Sequence, residues 1–529
     1  MKILLTVFAV FAVVLPVASA RGGEAGKDGG TFRVAVVAGR VDTIDPALVD
    51  FLPEDELLSP ACGSLMAYPD KPPPAAYRLV PSLAQSEPVV SRDGRTYTFT
   101  IRADARFSTG AAVTASSFSH ALERMLTPAM KATRATNFSN IVGARAMLAG
   151  KATRLAGAVA RGRTLVLRLK KQDGSLLGQL AGLCAVPTNL PADPEGAKAP
   201  LASAGPYYVA QYVPGERLVM ERNRYYRGER PQHVTSFAAD LTITPGDAVG
   251  LVASGTYDTL VPAFIPDPAD LARRYGVNRS QFWVSPGTGM RLFFLNASRG
   301  VFHDNPLLRR AVNLAVDRTA LAREVGLLSG TPTDQYLARG TQGFRDERIY
   351  PLEGDAHRAR ALAAGHTRGG KVVLYTIDTP VDVAQAQVLQ KNLRTIGLEL
   401  EVKKFPVPLF FQLDWSHEPW DLLRLQLGRS LDPAITLGCF FDGRAIGQPS
   451  SCDYSQFNSP KYNGLLDRAS RLTGDSRYRA YGDLDVKFSR DAAPDLPVAD
   501  LNVLGFVSSR VGCVVLNDIG LNLTAACLK

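Results

Sequence analysis

Apolar and polar residues alternate strictly over the six residues from Thr96 to Ile101. An apolar side chain at every second position is typical of a strand with one buried face. Because Gly94 marks a turn just upstream, Val89 and Val90 are predicted to pair with this run as a hairpin. The alternating run Leu165 to Leu169 behind Gly162 predicts a second hairpin of the same kind.

Helical periodicity appears between and after these strands. Phe118, Leu122 and Met125 fall on one helical face behind Thr114, which can cap a helix. In the second half, Asn305 followed by Pro306 predicts the start of another helix.

A strand, a helix and a second strand then follow in order. Lys371 to Ile377 is predicted as a strand, Pro380 to Ile396 as a helix ended by Gly397, and Leu398 to Val402 as the second strand. Such a βαβ unit requires a parallel pair with a right-handed crossover. The fold class is therefore mixed α/β, and ligands are expected at the carboxyl ends of the parallel strands.

The N-terminus has the features of a secretory signal. Lys2 precedes an apolar run from Ile3 to Leu15, and Ala18 to Ala20 supplies small residues for cleavage, so residues 1–20 are predicted to be removed. A membrane anchor is the alternative, but the run falls short of the roughly 18 apolar residues that a span needs. No cysteine at the cleavage point indicates a lipid anchor. We expect a protein exported to the periplasmic or extracellular side of the membrane.

Length and charge narrow the class further. A chain of 529 residues is too long for one core and implies two or three domains. Its net charge of +10 is not concentrated in a basic cluster with interleaved aromatic residues. We therefore interpret the excess as a solvated surface and expect no nucleic-acid partner.

The six cysteines indicate disulfides, because an even count in an exported chain is typical of a disulfide framework. Six cysteines allow 15 pairings. Proximity in sequence favours Cys439 with Cys452 and Cys513 with Cys527, which leaves Cys62 for Cys184. No pair has the spacing of a zinc site, and neither a metal nor a cofactor is expected.

The order of segments resembles the peptide/nickel-type solute-binding proteins, family 5, of ABC importers. The matching segments are Gly29 to Ala35, Asp42 to Pro46, Leu79 to Ala84, Asp93 to Phe99, Phe107 to Arg124, Ala204 to Tyr208, Arg222 to Gly228, Leu307 to Arg318 and Asp421 to Pro433. Each motif alone is weak, whereas the ordered set is specific.

The resemblance implies a two-lobe periplasmic-binding-protein fold of type II, in its large three-part variant, with discontinuous domains. Lobe one would comprise residues 29–65, 188–280 and 493–529, with residues 66–187 as an inserted subdomain. Lobe two would comprise residues 281–492. Hinge strands are expected near Phe282 to Val284 and from Asp491 to Val498.

By the same resemblance, the chain would be a monomeric receptor that captures a peptide-like or other small solute between its lobes. It would then deliver the ligand to the membrane permease of the importer. A secreted hydrolase is the alternative from another class, but no G-x-S-x-G, H-E-x-x-H or P-loop signature is present. An exported sensor or chaperone that does not take part in transport is a further alternative.

The most informative departure from the family lies at Arg429. Peptide-binding members carry an aspartate three residues before an acidic residue and proline, here Asp432 and Pro433, and that aspartate pairs with the ligand's α-ammonium. An arginine repels an ammonium and favours a carboxylate. Arg429 and Asp432 are therefore candidate ligand contacts, with a surface charge as the alternative for Arg429.

Further candidate contacts follow from position. Trp415 and Trp420 fall where the family supplies ligand-facing aromatic residues, and Tyr336 lies in a loop between lobe-two elements. Core packing is the alternative for both tryptophans. Gly39, Arg40 and Thr43 follow the first strand and, by resemblance, line the cleft.

Overall fold

The computed structural model of the protein describes residues 28–529, apart from Phe51, Lys198, Ala199, Phe264, Leu327, Ser416, Pro449 and Ser450. The predicted signal peptide, residues 1–20, lies outside the described residues. Within the described part of the chain, every helix is too short or too polar to cross a membrane.

The secondary structure alternates along the chain. The strands are Thr31–Val37 (β1), Met66–Ala67 (β2), Val80–Pro81 (β3), Val89–Val90 (β4), Thr96–Thr100 (β5), Ala158–Arg161 (β6), Thr164–Arg168 (β7), Tyr207–Val213 (β8), Arg217–Arg222 (β9), Ser236–Ile243 (β10), Thr259–Val261 (β11), Phe282–Leu295 (β12), Gly330–Pro332 (β13), Lys371–Ile377 (β14), Glu399–Phe405 (β15), Leu422–Leu427 (β16), Asp495–Phe506 (β17), Val511–Cys513 (β18) and Cys527–Leu528 (β19). The helices are Leu52–Leu58 (α1), Ala115–Leu126 (α2), Ala144–Leu148 (α3), Leu176–Leu180 (α4), Ala248–Ala253 (α5), Pro268–Tyr275 (α6), Pro306–Ala315 (α7), Arg318–Val325 (α8), Ala356–Ala363 (α9), Pro380–Arg394 (α10), Val407–Phe410 (α11), Pro433–Phe441 (α12), Pro460–Ser470 (α13) and Gly474–Lys487 (α14).

The first lobe is built on a five-stranded sheet in the order β11-β1-β10-β9-β8. β1 runs parallel to both β10 and β11, whereas β9 pairs antiparallel to β10 and β8. Alternate residues of β1, such as Phe32 and Val34, are fully buried and pack with Phe237 of β10.

The second lobe contains a six-stranded sheet in the order β13-β17-β12-β16-β14-β15. The predicted βαβ unit is confirmed, because β14 and β15 pair in parallel over seven residues and α10 connects them. Thr379 caps α10 by accepting a hydrogen bond from the Asp382 backbone N–H. Separate hydrophobic cores cover the two faces of this sheet.

The inserted subdomain has its own antiparallel sheet, β4-β5-β7-β6, and its own core. Both predicted hairpins form, with Val89 opposite Thr98 and Arg161 opposite Thr164. The helix predicted behind Thr114 is α2, and Thr114 and Ser117 form a capping box at its start.

Two long strands join the lobes. β12 and β17 pair antiparallel from Phe282 opposite Phe506 to Phe294 opposite Asp495. Phe282 and Phe506 pack in a core that also contains lobe-one residues such as Ala35. The first crossing therefore lies at the expected residues. The second lies at the end of β17 and not at residues 491–498, because Asp495 begins the part of β17 that pairs inside the six-stranded sheet. The two-lobe α/β architecture is confirmed.

All three predicted disulfides form: Cys62–Cys184, Cys439–Cys452 and Cys513–Cys527. The first joins lobe one to the inserted subdomain across 122 residues of sequence. The other two close short loops of 13 and 14 residues.

Candidate functional site

A cavity of about 590 Å³ lies between the two lobes. Three parts of the molecule line it. Lobe one contributes from residues 44–62, 201–209, 230 and 517–522, the region around the inserted subdomain from residues 64–70, 134–137 and 178–186, and lobe two from residues 429–435. A volume in this range suits a small molecule or a short peptide.

Most of the residues that line the cavity are apolar. Ile44, Val49 and Leu58 contribute from the first lobe, and Leu431 and Ile435 contribute from the second. Among the described lining residues, the one aromatic side chain is Tyr68. An apolar wall with a few polar groups is the usual construction of a ligand pocket, in which the polar groups fix the orientation of the ligand.

Two arginines of the cavity are neutralised by neighbouring aspartates. Arg134 forms a two-pronged ion pair with Asp55 at the start of α1, with one of its contacts at 3.2 Å. Arg230 pairs with Asp70 at 2.7 Å and also donates to backbone carbonyls and to the Thr524 hydroxyl. These guanidinium groups therefore hold the wall of the cavity together.

Arg429 lies at the cavity, but its guanidinium points into the protein. Its side chain has no exposed surface and pairs with Asp500 at 2.7 Å. The same group donates to the backbone carbonyls of Thr288, Gly289 and Tyr336 at 2.7 to 3.1 Å. These acceptors use the N–H donors of the guanidinium. The sequence suggested that Arg429 binds a ligand carboxylate, but no pair of N–H groups is left to do so.

Asp432 caps α12 and does not line the cavity, and its charge is paired. It accepts a hydrogen bond from the Ala434 backbone N–H and pairs with Arg477 at 2.5 Å. Both partners are buried. The pair fixes the start of α12, and Ser430, Leu431 and Ile435 nearby line the cavity.

The three aromatic residues predicted as ligand contacts lie elsewhere. Trp420 and Tyr336 have no exposed surface and belong to the lobe-two core, and Trp415 is half-buried beside them. The Trp420 indole donates to the Trp415 carbonyl, and the Trp415 ring packs 5.3 Å from that of Phe410. None of the three lines the cavity. They pack with other aromatic residues of the lobe-two core instead.

The loop after β1 borders the cavity with residues other than those predicted. Gly39, with a φ of +72°, and Arg40 are exposed, and neither lines the cavity. Thr43 is buried, and its hydroxyl accepts a hydrogen bond from the Asp45 backbone N–H. The residues of this loop that line the cavity are Ile44 and Pro46, which follow Thr43 and Asp45 in sequence.

Asp518 is the charged lining residue that sequence reasoning missed. It lies in a four-residue loop, from Asn517 to Gly520, at the cavity wall. Among the described residues, each arginine that lines the cavity pairs with an aspartate other than Asp518. Burial, together with the nearby negative charge of Asp55, raises the pKa of Asp518 to about 6. An Asn-Asp-Ile-Gly sequence indicates a turn and gives no sign of a site.

Comparison with known proteins agrees with this architecture. The family model for bacterial extracellular solute-binding proteins, family 5 (middle), matches residues 78–447. The dipeptide-binding protein DppE of Bacillus subtilis is 22% identical over 457 residues, which cover 82% of this chain and 80% of that protein. The periplasmic murein peptide-binding protein MppA of Escherichia coli is also 22% identical, over 86% of this chain and 85% of its own length.

Solved structures show the same fold. The clavulanic acid biosynthesis oligopeptide-binding protein 2 superposes with a TM-score of 0.84 at 23% identity and covers 96% of each chain. The unliganded open form of MppA superposes with a TM-score of 0.79 at 19% identity, over 96% of this chain and 99% of that one. With a family model that covers well over half of its residues, the chain belongs to family 5 of the bacterial extracellular solute-binding proteins.

Proposed function

We propose that the protein captures a short peptide in the cavity between its lobes and delivers it to the permease of an ABC importer. Membership of the family makes it a solute-binding receptor and not an enzyme. The observation that carries the peptide assignment is the cavity itself, which is lined by residues of both lobes and is large enough for a ligand of a few residues.

The construction of the hinge supports this proposal. The lobes share β12 and β17, and the lining of the cavity from residues 429–435 follows β16, which pairs with β12. A ligand that contacts both walls stabilises the closed arrangement by its additional contacts there. Ligand binding and closure of the lobes are therefore expected to be thermodynamically coupled.

The proposal includes the location and the assembly of the protein. The chain would be exported after removal of residues 1–20, carry no lipid anchor and act as a monomer at the outer side of the membrane. Family membership and the sequence of the first 20 residues support export to that side of the membrane.

Calorimetry with defined peptides tests the proposal. Residues 21–529 would be purified, freed of any bound ligand in denaturant with the disulfides intact, refolded and titrated with pools of tripeptides to pentapeptides. We expect saturable binding that Ala202→Trp abolishes by filling the cavity, whereas Ala364→Trp on the exposed surface leaves it unchanged. A cavity-filled variant that binds peptides as tightly as the unmodified protein would place the peptide site elsewhere.

A further inference from the structure

Among the described charged residues that line the cavity, Asp518 is the acid that forms no ion pair with an arginine. The described lining residues include three cations, Arg134, Arg230 and Arg429, and three anions, Asp55, Asp70 and Asp518. Each arginine has its own aspartate, because Arg429 pairs with Asp500 outside the lining. Among the described lining residues, Asp518 is therefore the acid that remains once each arginine is matched with its aspartate.

The loop that carries Asp518 is built to hold it in place. The Asn517 side chain accepts hydrogen bonds from the backbone N–H groups of Ile519 and Gly520. Behind the loop, the buried Glu56 carboxyl accepts from the Leu521 N–H at 2.9 Å. Gly520 has a φ of +150°, and a Cβ there would lie 2.3 Å from the Glu56 carboxyl, so the loop packs directly onto α1. The carboxylate is thus presented by a fixed loop.

The groups around Asp518 make its charge more costly. Asp55 lies near enough to repel it, and the neighbouring phenols of Tyr68 and Tyr77 carry no positive charge. The Tyr77 hydroxyl donates to the Pro286 carbonyl and is not available to the carboxylate. A partly buried carboxylate without a counter-ion is unfavourable in the free protein, and a ligand cation would remove that cost on binding.

We infer that Asp518 binds a positively charged group of the ligand, either a primary ammonium or a guanidinium. This inference rests on the proposed peptide-binding function and specifies the chemistry of its ligand. A peptide offers such a group as its free N-terminus or as the side chain of lysine or arginine. Because the cation would enter an apolar wall from water, the pair gains strength as the lobes close and exclude solvent.

The test compares Asp518→Asn with the unmodified protein on three peptide pools of equal length. The first pool has free N-termini and no basic side chains, the second is N-acetylated and contains lysine or arginine, and the third is N-acetylated without basic residues. The first two pools distinguish the α-ammonium from a basic side chain as the bound cation. Glu353→Gln, which removes an exposed charge of the same sign in lobe two, is the matched control.

We expect the unmodified protein to prefer at least one cation-bearing pool over the third pool. Asp518→Asn should weaken that preferred binding by about 10- to 100-fold, as loss of a charge-assisted contact does, and leave the third pool unchanged. Its unfolding midpoint should not fall, because the variant removes an unpaired acid, and this measurement excludes misfolding. Equal affinity of Asp518→Asn and the unmodified protein for the preferred pool would overturn the inference while leaving peptide binding intact. Failure of the unmodified protein to bind any of the three pools would instead overturn the proposed function, and the inference with it.

Discussion

Replacing Arg429 with alanine would remove a guanidinium that is buried against both strands joining the lobes. On these strands it donates to the carbonyls of Thr288 and Gly289 in β12 and to the carboxylate of Asp500 in β17. Among the described residues, Asp500 would keep one longer ion-pair contact, of 3.9 Å to Arg339. Removing one member of a buried ion pair typically costs about 3–5 kcal/mol, because the remaining charge loses its partner inside the protein.

Chemical denaturation at pH 7, followed by tryptophan fluorescence, measures this loss. Arg345→Ala is the matched control, since that arginine pairs with Asp483 at 2.8 Å but both side chains are about half exposed. An exposed pair contributes about 0–1 kcal/mol. We therefore expect Arg429→Ala to destabilise the fold by several times as much as Arg345→Ala, and Arg429→Met with Asp500→Asn to recover part of the loss.

The same variant separates a role inside the protein from the ligand contact suggested by the sequence. If the role of Arg429 is structural, Arg429→Ala should change the affinity for peptides with free C-termini and for peptides with amidated C-termini by the same factor. An unfolding free energy within about 1 kcal/mol of the unmodified value, together with a selective loss of affinity for free carboxylates, would refute the structural role. That result would restore Arg429 as a ligand residue.

Three further predictions concern titration and covalent structure. Burial raises the pKa of Glu56 from 4.5 to about 8, so the protonated carboxyl stabilises the fold at low pH and this contribution is lost as the pH rises toward 8. The unfolding free energy should therefore fall by roughly 5 kcal/mol at most between pH 5 and 8. In Glu56→Gln, denaturation curves should show a smaller fall over the same range. The affinity for a cationic peptide should fall about tenfold per pH unit below the Asp518 pKa of about 6, whereas Asp518→Asn should show no such dependence in calorimetry; the groups facing Asp518 are Asp55, Tyr68 and Tyr77. Replacing Cys62 and Cys184 with serine opens a loop of 122 residues and should cost about 4–5 kcal/mol in unfolding free energy by the chain-entropy model; an unchanged denaturation midpoint would contradict that model here.

Local patterns predicted the elements well because their causes are local. The hairpin at Gly162 needs only an alternating run and a residue that tolerates the φ of +55° found there. The helix after Asn305 begins where a side chain can accept from the Leu308 N–H and where proline loses no hydrogen bond. Both signals lie within a few residues of the element that they specify.

The candidate site could not be predicted in the same way, because its chemistry depends on partners that are distant in sequence. The sequence shows that Arg429 is charged but does not show Asp500, 71 residues further on, as its counter-ion. It likewise shows Asp518 in a turn but does not show that the surrounding arginines pair with other aspartates. For Trp420, position in the family suggested a ligand contact with core packing as the alternative, and the structure places its side chain in the lobe-two core.

The position of Arg429 also connects the cavity to the hinge. The pairing of β12 with β17 is irregular between Pro286 and Met290, and an irregular ladder leaves backbone carbonyls without strand partners. Arg429 donates to two of these carbonyls, and the Tyr77 hydroxyl donates to that of Pro286. Arg429 lines the cavity and Tyr77 packs against the lining residue Leu431, so the irregular segment is held from lobe two on one side and from the inserted subdomain on the other. A rearrangement of β12 at this point must therefore change the hydrogen bonds of the cavity wall, which is the physical link that a receptor needs between closure of its lobes and binding of its ligand.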